Sequence, residues 1–452
     1  MKKKSFFLST THLILLSFLV AILVGAAVLS LPVCSAKGTA TPFLDALFTA
    51  TTSTCVTGLV VVPTYSAWSV FGQAVILILI QIGGLGVITI MSALMILLNK
   101  KMGIGDRLLL QDAFNLNSLS GLIRFVKRVV GGTLLIEGIG ALVYMTVFIP
   151  RFGPKGIWIS VFTSVSAFCN AGIDIIGENS LCDYALNPVI NLVTGALIVL
   201  GGIGYVVWWD VVRLWRKARS KKVRFFRDLT LQSKIAIVVS LTLILMGAML
   251  IFIFEYNNPE TLRDLTLWEK IEVSLFQSIT TRTAGFATVP QENLTDASAL
   301  VCVMLMFVGG SPMGTAGGIK TVTLAVLFAT ALASIQNKED TELFGRRLSL
   351  QTIRKAVAVC CTSFSILLVG TVLLAAASDA SFLDVLYEAT SAVATVGLTR
   401  NLTPSLGEIG RLILIVIMYL GRVGPISLAV AFNKKKDNQN LIRNPIEEIS
   451  VG

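Results

Sequence analysis

The chain has 452 residues, of which 54% are apolar and only 14% charged, with a mean hydropathy of +0.81. Soluble globular proteins carry about 25% charged residues, so disordered, collagenous and ordinary soluble classes are excluded and a polytopic membrane protein is indicated. Lys and Arg outnumber Asp and Glu by 37 to 26, and there is one histidine, His12, which argues against a His-based metal or catalytic site.

Crossing a bilayer core takes about 20 apolar residues. The stretches 11–31, 70–98, 125–150, 187–212, 231–256, 297–335, 354–377 and 408–432 qualify, which predicts eight spans. The first follows Met1-Lys2-Lys3-Lys4, but its apolar run is too long for a signal peptide and no small-residue cleavage site is obvious. The N-terminus, the segments 99–128, 213–234 and 336–355, and the tail from Lys434 hold 27 of the 37 basic residues. The alternate loops hold seven, against fifteen acids. The positive-inside rule then predicts a multi-pass cell-membrane protein with both termini cytoplasmic. The basic surplus reports topology rather than nucleic-acid binding, and the negative outer face would concentrate cations. The seven cysteines show no CxxC pair and an irregular spacing, so neither a zinc site nor a disulfide framework is signalled.

Each outer loop contains a semi-apolar stretch too short to span, the length of a re-entrant segment. Residues 43–59 (FLDALFTATTSTCVTGL) align with 382–398 (FLDVLYEATSAVATVGL), and Asp45 and Asp384 each stand thirteen residues before a glycine. Residues 158–174 and 268–286 fit more loosely. An aromatic precedes the glycine by ten residues in three copies (Phe48, Phe162, Tyr387) and by nine in the third (Phe276), as if that copy carried a small indel. The glycines are Gly58, Gly172, Gly285 and Gly397, separated by 114, 113 and 112 residues. Each second span carries a glycine cluster: QIGGLG (81–86), GGIG (201–204), GGSPMGTAGG (309–318) and GRVG (421–424). The periodicity sets the expected architecture: an all-α integral membrane protein of four pseudo-fourfold repeats (1–98, 99–220, 221–337 and 338–452), each a helix, a re-entrant pore loop and a helix, around a central ion pore.

Non-helical backbone at membrane depth is tolerated only where protein or a water-filled cavity satisfies it. Four such loops on one axis can offer carbonyl oxygens to a dehydrated ion. Each preceding short helix would point its negative C-terminal end at the cavity, which favours a cation. Any single loop could be an ordinary polar loop with a turn glycine; the set of four at near-equal spacing argues for a filter.

The motifs CVTGL (55–59), NAGID (170–174), TRTAGF (281–286) and TVGLT (395–399) resemble the four filter segments of the Trk/Ktr/HKT potassium transporter superfamily. The resemblance covers nearly the whole chain, and eight spans look most like the KtrB-type bacterial membrane subunit. It implies a potassium filter formed by Cys55, Val56, Thr57 and Gly58; Asn170, Ala171 and Gly172; Thr283, Ala284 and Gly285; and Thr395, Val396 and Gly397. Glycine at all four positions implies potassium selectivity, whereas members with serine at the first lean towards sodium. Potassium is then the substrate, with sodium coupling undecided.

Residues 297–335 are too long for one crossing and are interrupted by Gly309, Gly310, Ser311, Pro312, Met313, Gly314, Thr315, Ala316, Gly317 and Gly318. Glycine and proline at this density break a helix. The break reads as a gate loop below the third filter segment, with a packing kink as the alternative. The resemblance likewise implies an intramembrane gate loop ending in GGIK, as at 317–320. Gly314–Thr321 imitates a nucleotide-binding GxxxxGK[ST] loop, but Ile319 separates glycine from lysine and the flanks are membrane helix. Arg422 lies mid-span, where an arginine costs at least ~2.5 kcal/mol. It can face the pore and donate to gate-loop carbonyls, or pair with Glu137, or snorkel. In the family an arginine in this GR-x-G context is held to act with the gate loop. Lys320 can cap loop carbonyls or bind at the inner mouth.

The chain carries no soluble regulatory domain between its spans. The resemblance implies a homodimer docked on a cytoplasmic KtrA-type RCK ring that binds nucleotide, with Ile449–Gly452 near the dimer contact; no cofactor is expected in this chain. The competing reading is a coupled symporter of another solute with a midplane site, which inverted repeats would favour; the units here are parallel. An enzyme is excluded by the lack of convergent acid, base and nucleophile.

Overall fold

In a hydrocarbon core every backbone polar group needs a partner within the protein, and helices are the simplest way to supply one. The computed structural model describes residues 10–98, 122–177, 179–218 and 225–424 and is helical almost throughout. The N-terminal lysines, the segment 99–121, the end of the expected eighth span and Ile449–Gly452 lie outside the described residues.

The first repeat contains α1 (Thr10–Leu29), the short α2 (Phe43–Cys55), α3 (Val70–Leu85) and α4 (Val87–Leu97). The second contains α5 (Leu122–Phe152), α6 (Lys155–Cys169), α7 (Pro188–Gly202) and α8 (Tyr205–Ala218). The third contains α9 (Leu231–Glu255), α10 (Leu267–Thr280), α11 (Asp296–Phe307) and α12 (Thr321–Ile335). The fourth contains α13 (Leu350–Ala376), α14 (Phe382–Ala394) and α15 (Glu408–Val423). A two-residue hairpin pairs Glu342–Leu343 with Arg346–Arg347. Polar N-caps start many of these helices: Ser69, Asn187, Thr230, Thr295, Ser349 and Ser381 each accept a backbone N–H of the first turn. Thr266 and Glu269 form a full capping box on α10.

Among the described residues, four unbroken helices are long and apolar enough to cross a membrane: α1, α5, α9 and α13. The second span of each repeat behaves differently. Residues 70–98 and 187–212, read above as continuous spans, are broken, with turns of 102° and 97°. The breaks fall at Gly86 (φ 84°) and Gly204 (φ 94°), and Gly424 (φ 88°) ends α15 in the same way. Positive φ is costly for residues with a side chain, and glycine permits it. The long interruption of the third repeat therefore enlarges a break found in the first two.

The repeats close on themselves. Each second span packs against the short helix of the next repeat: α3 on α6, α7 on α10, α11 on α14, and α15 back on α2. Ion pairs reinforce the fourth repeat's contacts: Arg411 holds Asp45 of α2 at 2.7 Å, and Arg400 holds Asp384 of α14 at 2.6 Å. The two aspartates matched in the sequence thus share an arginine partner type.

Polarity is reversed relative to a soluble protein. Leu19, Val20, Leu23 and Val24 of α1 and Leu368, Val369, Val372 and Leu373 of α13 are exposed, while Thr51, Thr52, Ser53 and Thr54 are completely buried. The aromatic that precedes each loop glycine (Phe48, Phe162, Phe276, Tyr387) is buried in every copy.

In the first, second and fourth repeats the glycine clusters let the second span approach the end of its own repeat's short helix. A methyl on Gly83 would collide with the Thr54 carbonyl, on Gly201 with that of Phe168, and on Gly421 with that of Val393. These three carbonyls stand at the same place, four residues before Gly58, Gly172 and Gly397. Gly201→Ala is therefore expected to cost about 1–3 kcal/mol by overpacking and to lower the thermal midpoint of the detergent-purified protein. Gly138, with open space around its Cα, is the control: Gly138→Ala should leave that midpoint unchanged or raise it.

Candidate functional site

The short helices α2, α6, α10 and α14 lead into four loops of matching backbone shape. The chain turns left-handed at Val56 (φ 55°), Asn170 (φ 60°), Thr283 (φ 74°) and Thr395 (φ 52°). Two residues later it reaches Gly58 (φ 99°), Gly172 (φ 64°), Gly285 (φ 82°) and Gly397 (φ 96°). Cys55 and Cys169 end α2 and α6 and are fully buried.

These loops form a closed ring. A methyl on Gly58 would strike the carbonyl oxygen of Ala171; on Gly172, that of Ala284; on Gly285, that of Val396; and on Gly397, that of Thr57. The order runs through the four repeats and returns to the first. The ring is thus backbone against backbone, and a side chain at any of the glycines would have to displace the next loop. A hydroxyl from the short helix braces each loop. Thr52 Oγ1 accepts the Gly58 N–H at 2.9 Å and Ser391 Oγ the Gly397 N–H at 3.0 Å. Ser166 donates to the Ile173 carbonyl at 2.5 Å, and Thr280 to the Phe286 carbonyl at 2.6 Å. The side-chain oxygens Thr57 Oγ1, Asn170 Oδ1 and Thr395 Oγ1 are buried without a protein partner, while Asn170 Nδ2 reaches Thr283 Oγ1 at 3.4 Å.

The indel in the third copy can be placed. Aromatic and bracing hydroxyl are four residues apart in every copy, so the missing residue lies after the hydroxyl. There the Ala284 N–H bonds back four residues to Thr280, whereas Thr57, Ala171 and Val396 bond back five. Sequence reasoning passed over the neighbouring Arg282, counting it as an outer-loop cation. The structure buries it, with its guanidinium donating to Ser240 O at 3.3 Å, Ser240 Oγ at 3.2 Å and Gly309 O at 3.1 Å. Its counterparts three residues before the other glycines are Cys55, Cys169 and Ala394. An arginine among small residues at an aligned buried position was the available signal.

Residues 308–320 form a loop between α11 and α12. Its ends are zipped together: the Ile319 N–H donates to Phe307 O at 3.1 Å and the Thr321 N–H to Gly310 O at 3.0 Å, while Ser311 and Thr321 hydroxyls bond at 2.8 Å. The second repeat holds its body. Ser311 and Thr315 N–H groups donate to the Gly202 and Gly201 carbonyls, the Tyr205 N–H donates to Met313 O, and Thr315 Oγ1 donates to Phe168 O. Met313 takes a left-handed φ of 62°, and the Pro312 carbonyl lies against Gly204. Gly310 lies against Ala316, and Gly314 against the carbonyls of Gly201 and Gly202. Gly317 is pressed against Thr395, which places the loop directly beside the fourth strand of the ring, and Gly318 (φ 64°) turns back onto Gly309.

Cations reach this loop from three sides. Arg422 donates to Thr315 O at 2.6 Å and also to Gly83 O. Lys320 donates to the Ala316 carbonyl at 2.5 Å and to that of Gly317 at 3.4 Å, and so caps loop carbonyls. Glu137 does not pair with Arg422: Gln81 Nε2 donates to it at 3.2 Å and the Cys169 thiol lies at 3.8 Å. Among the described residues none of Arg282, Lys320 and Arg422 has a carboxylate partner. A cavity of about 670 Å³ borders the loop, lined among others by Gly86, Tyr205, Met313, Gly317, Lys320 and Arg422, and includes no residue of the ring.

The bracing hydroxyls can be tested on their own. Ser391→Ala leaves the buried Gly397 N–H unpaired, at a cost of about 1–3 kcal/mol. The thermal midpoint should fall, and Ser391→Thr should keep most of the wild-type value.

Comparison with known proteins agrees with this geometry. The chain matches the TrkH family, described as a cation transport protein, over residues 8–443. It is 38% identical to the Ktr system potassium uptake protein B of Bacillus subtilis, covering 97% of this chain and 95% of that protein. It is 37% identical to the potassium/sodium uptake protein NtpJ of Enterococcus hirae, covering 98% of each. The crystal structure of the potassium transporter TrkH from Vibrio parahaemolyticus superposes with a TM-score of 0.72 at 15% identity, over 96% of this chain and 87% of that one, a likeness of fold.

Proposed function

The chain belongs to the TrkH family of cation transport proteins and is a transporter rather than an enzyme; from that premise we propose that it takes up potassium across the cell membrane through the four-loop ring, which acts as its selectivity filter. One observation carries this reading: the closed cycle in which each loop glycine meets the carbonyl of the next repeat. Such a cycle offers backbone oxygens from four directions to a dehydrated monovalent cation. The unpartnered oxygens of Thr57, Asn170 and Thr395 add polar groups at its wall. The four short helices end at the ring, so their negative ends favour a cation there. The Bacillus and Enterococcus relatives, named for potassium and for potassium/sodium uptake, support potassium as substrate, with sodium as a second or coupled ion.

The loop 309–318, with Lys320 and Arg422, is the gate in this reading. It sits beside the ring at Thr395 and borders the cavity, and three cations fix its carbonyls. Positive charge at that level opposes the passage of a cation, so the resting loop is a barrier. The distribution of Lys and Arg supports the cytoplasm as the inner side. The chain acts as a homodimer on a cytoplasmic nucleotide-binding ring of KtrA type; the Bacillus relative's name, protein B of a system, supports such a partner.

Three measurements test the reading in proteoliposomes. Gly58→Ser should reduce the potassium-over-sodium flux ratio roughly tenfold, or about 1.4 kcal/mol; an unchanged ratio removes the filter assignment. Deleting residues 311–316 should raise potassium flux severalfold in a folded protein, and unchanged or lower flux counts against the gate. Adding the partner ring with nucleotide should change the flux, and a chain indifferent to it would act alone.

A further inference from the structure

We propose that Arg282 is a strut between the third filter segment and the neck of the intramembrane loop, so that loop position and filter geometry constrain each other. The proposal rests on the gate reading and adds a positioning residue to it. Arg282 immediately precedes Thr283, the residue whose left-handed turn opens the third filter segment. Its guanidinium donates to the carbonyl of Gly309, the first glycine of the loop, and to the backbone and hydroxyl oxygens of Ser240 in α9. Gly309 also packs on Thr283 itself: a methyl there would come within 2.9 Å of Thr283 Cγ2.

The neck is where the loop would have to pivot. Its two sides are joined by the Val308–Ile319 bridge and by the bonds to Phe307 O and Gly310 O. The Gly309 carbonyl between them is taken by Arg282. A loop that swings at the neck must break or drag this bond, and the drag acts on the residue next to Thr283. A buried guanidinium with no carboxylate partner is expensive, and removing it would leave the Gly309 carbonyl unpaired. The third segment is also one residue shorter than the others, which gives it less slack to absorb a displacement. The coupling is reciprocal by thermodynamic linkage: whatever fixes the filter also holds the neck.

The test compares potassium and sodium flux through proteoliposomes holding the full chain, as wild type, Arg282→Gln, Arg282→Lys, the 311–316 deletion, and the deletion combined with Arg282→Gln. A strut predicts that Arg282→Gln raises flux severalfold and lowers the potassium-over-sodium ratio severalfold. Arg282→Lys, which keeps the charge but reaches fewer acceptors, should recover part of both. In the deletion background Arg282→Gln should leave flux unchanged and still lower the ratio. An equal rise in flux in both backgrounds, or a wild-type ratio in folded Arg282→Gln, overturns the strut and leaves the gate standing. A deletion that does not raise flux overturns the gate and the strut with it. Should Arg282→Gln fail to fold, Ser240→Ala removes one acceptor with the arginine in place. Smaller shifts in the same two quantities are then expected, and no shift in either refutes the proposal.

Discussion

The structure depends on the contact between a glycine Cα and the carbonyl oxygen of the neighbouring repeat, made four times around one axis. A side chain at any of these places would be strained and would force the ring to shift, because the backbone is left-handed and the next loop already lies within contact distance. Bringing irregular backbone to that point inside a bilayer requires every polar group along the way to be satisfied. The bracing hydroxyls, the glycine clusters on the second spans and the cyclic packing of span on short helix all serve that requirement. The inside-out distribution of polarity is its visible result: threonines and serines at the centre, leucines and valines outside.

Charge is used sparingly and with a consistent geometry. At the starts of the short helices α2 and α14, away from the ring, arginines meet aspartates and hold the fourth repeat to the first and to itself. Deeper in, the cations meet carbonyl oxygens instead. The partial negative charge that a guanidinium or ammonium needs is supplied by the ends of broken backbone rather than by a carboxylate. Carbonyls occupied in this way are not available to an ion. In the loop 309–318, several carbonyls of the broken backbone are covered in this way by Arg282, Lys320 and Arg422.

Most of the architecture was legible because it is periodic. Apolar runs of sufficient length marked the spans, and the glycine interval marked the repeats, since a backbone position that excludes a side chain leaves an unambiguous residue. What escaped had no such constraint. The bends at Gly86 and Gly204 were hidden because apolar residues continue on both sides of them, and hydropathy does not record direction. The choice among partners for Arg422 needed three dimensions: Glu137, a formal counter-charge, is occupied with Gln81 and Cys169, and the arginine turns to Thr315 and Gly83. Arg282 was misplaced because loop residues are assigned to an exterior by default, whereas this loop turns inward and buries its arginine between helices.

The third segment is shorter than its counterparts, carries the one arginine at its position, and adjoins the one extended break among the described residues. A pore assembled from four identical chains would have to repeat each of these features four times. Four buried guanidiniums around one narrow axis would repel each other and any cation, and four long loops would compete for the same volume. Writing the four quarters into a single polypeptide frees them to diverge, so that three can conserve the ring while one is specialised. The fusion of the repeats is thus what allows one quarter, with its buried arginine and its long break, to differ within a nearly symmetric ring.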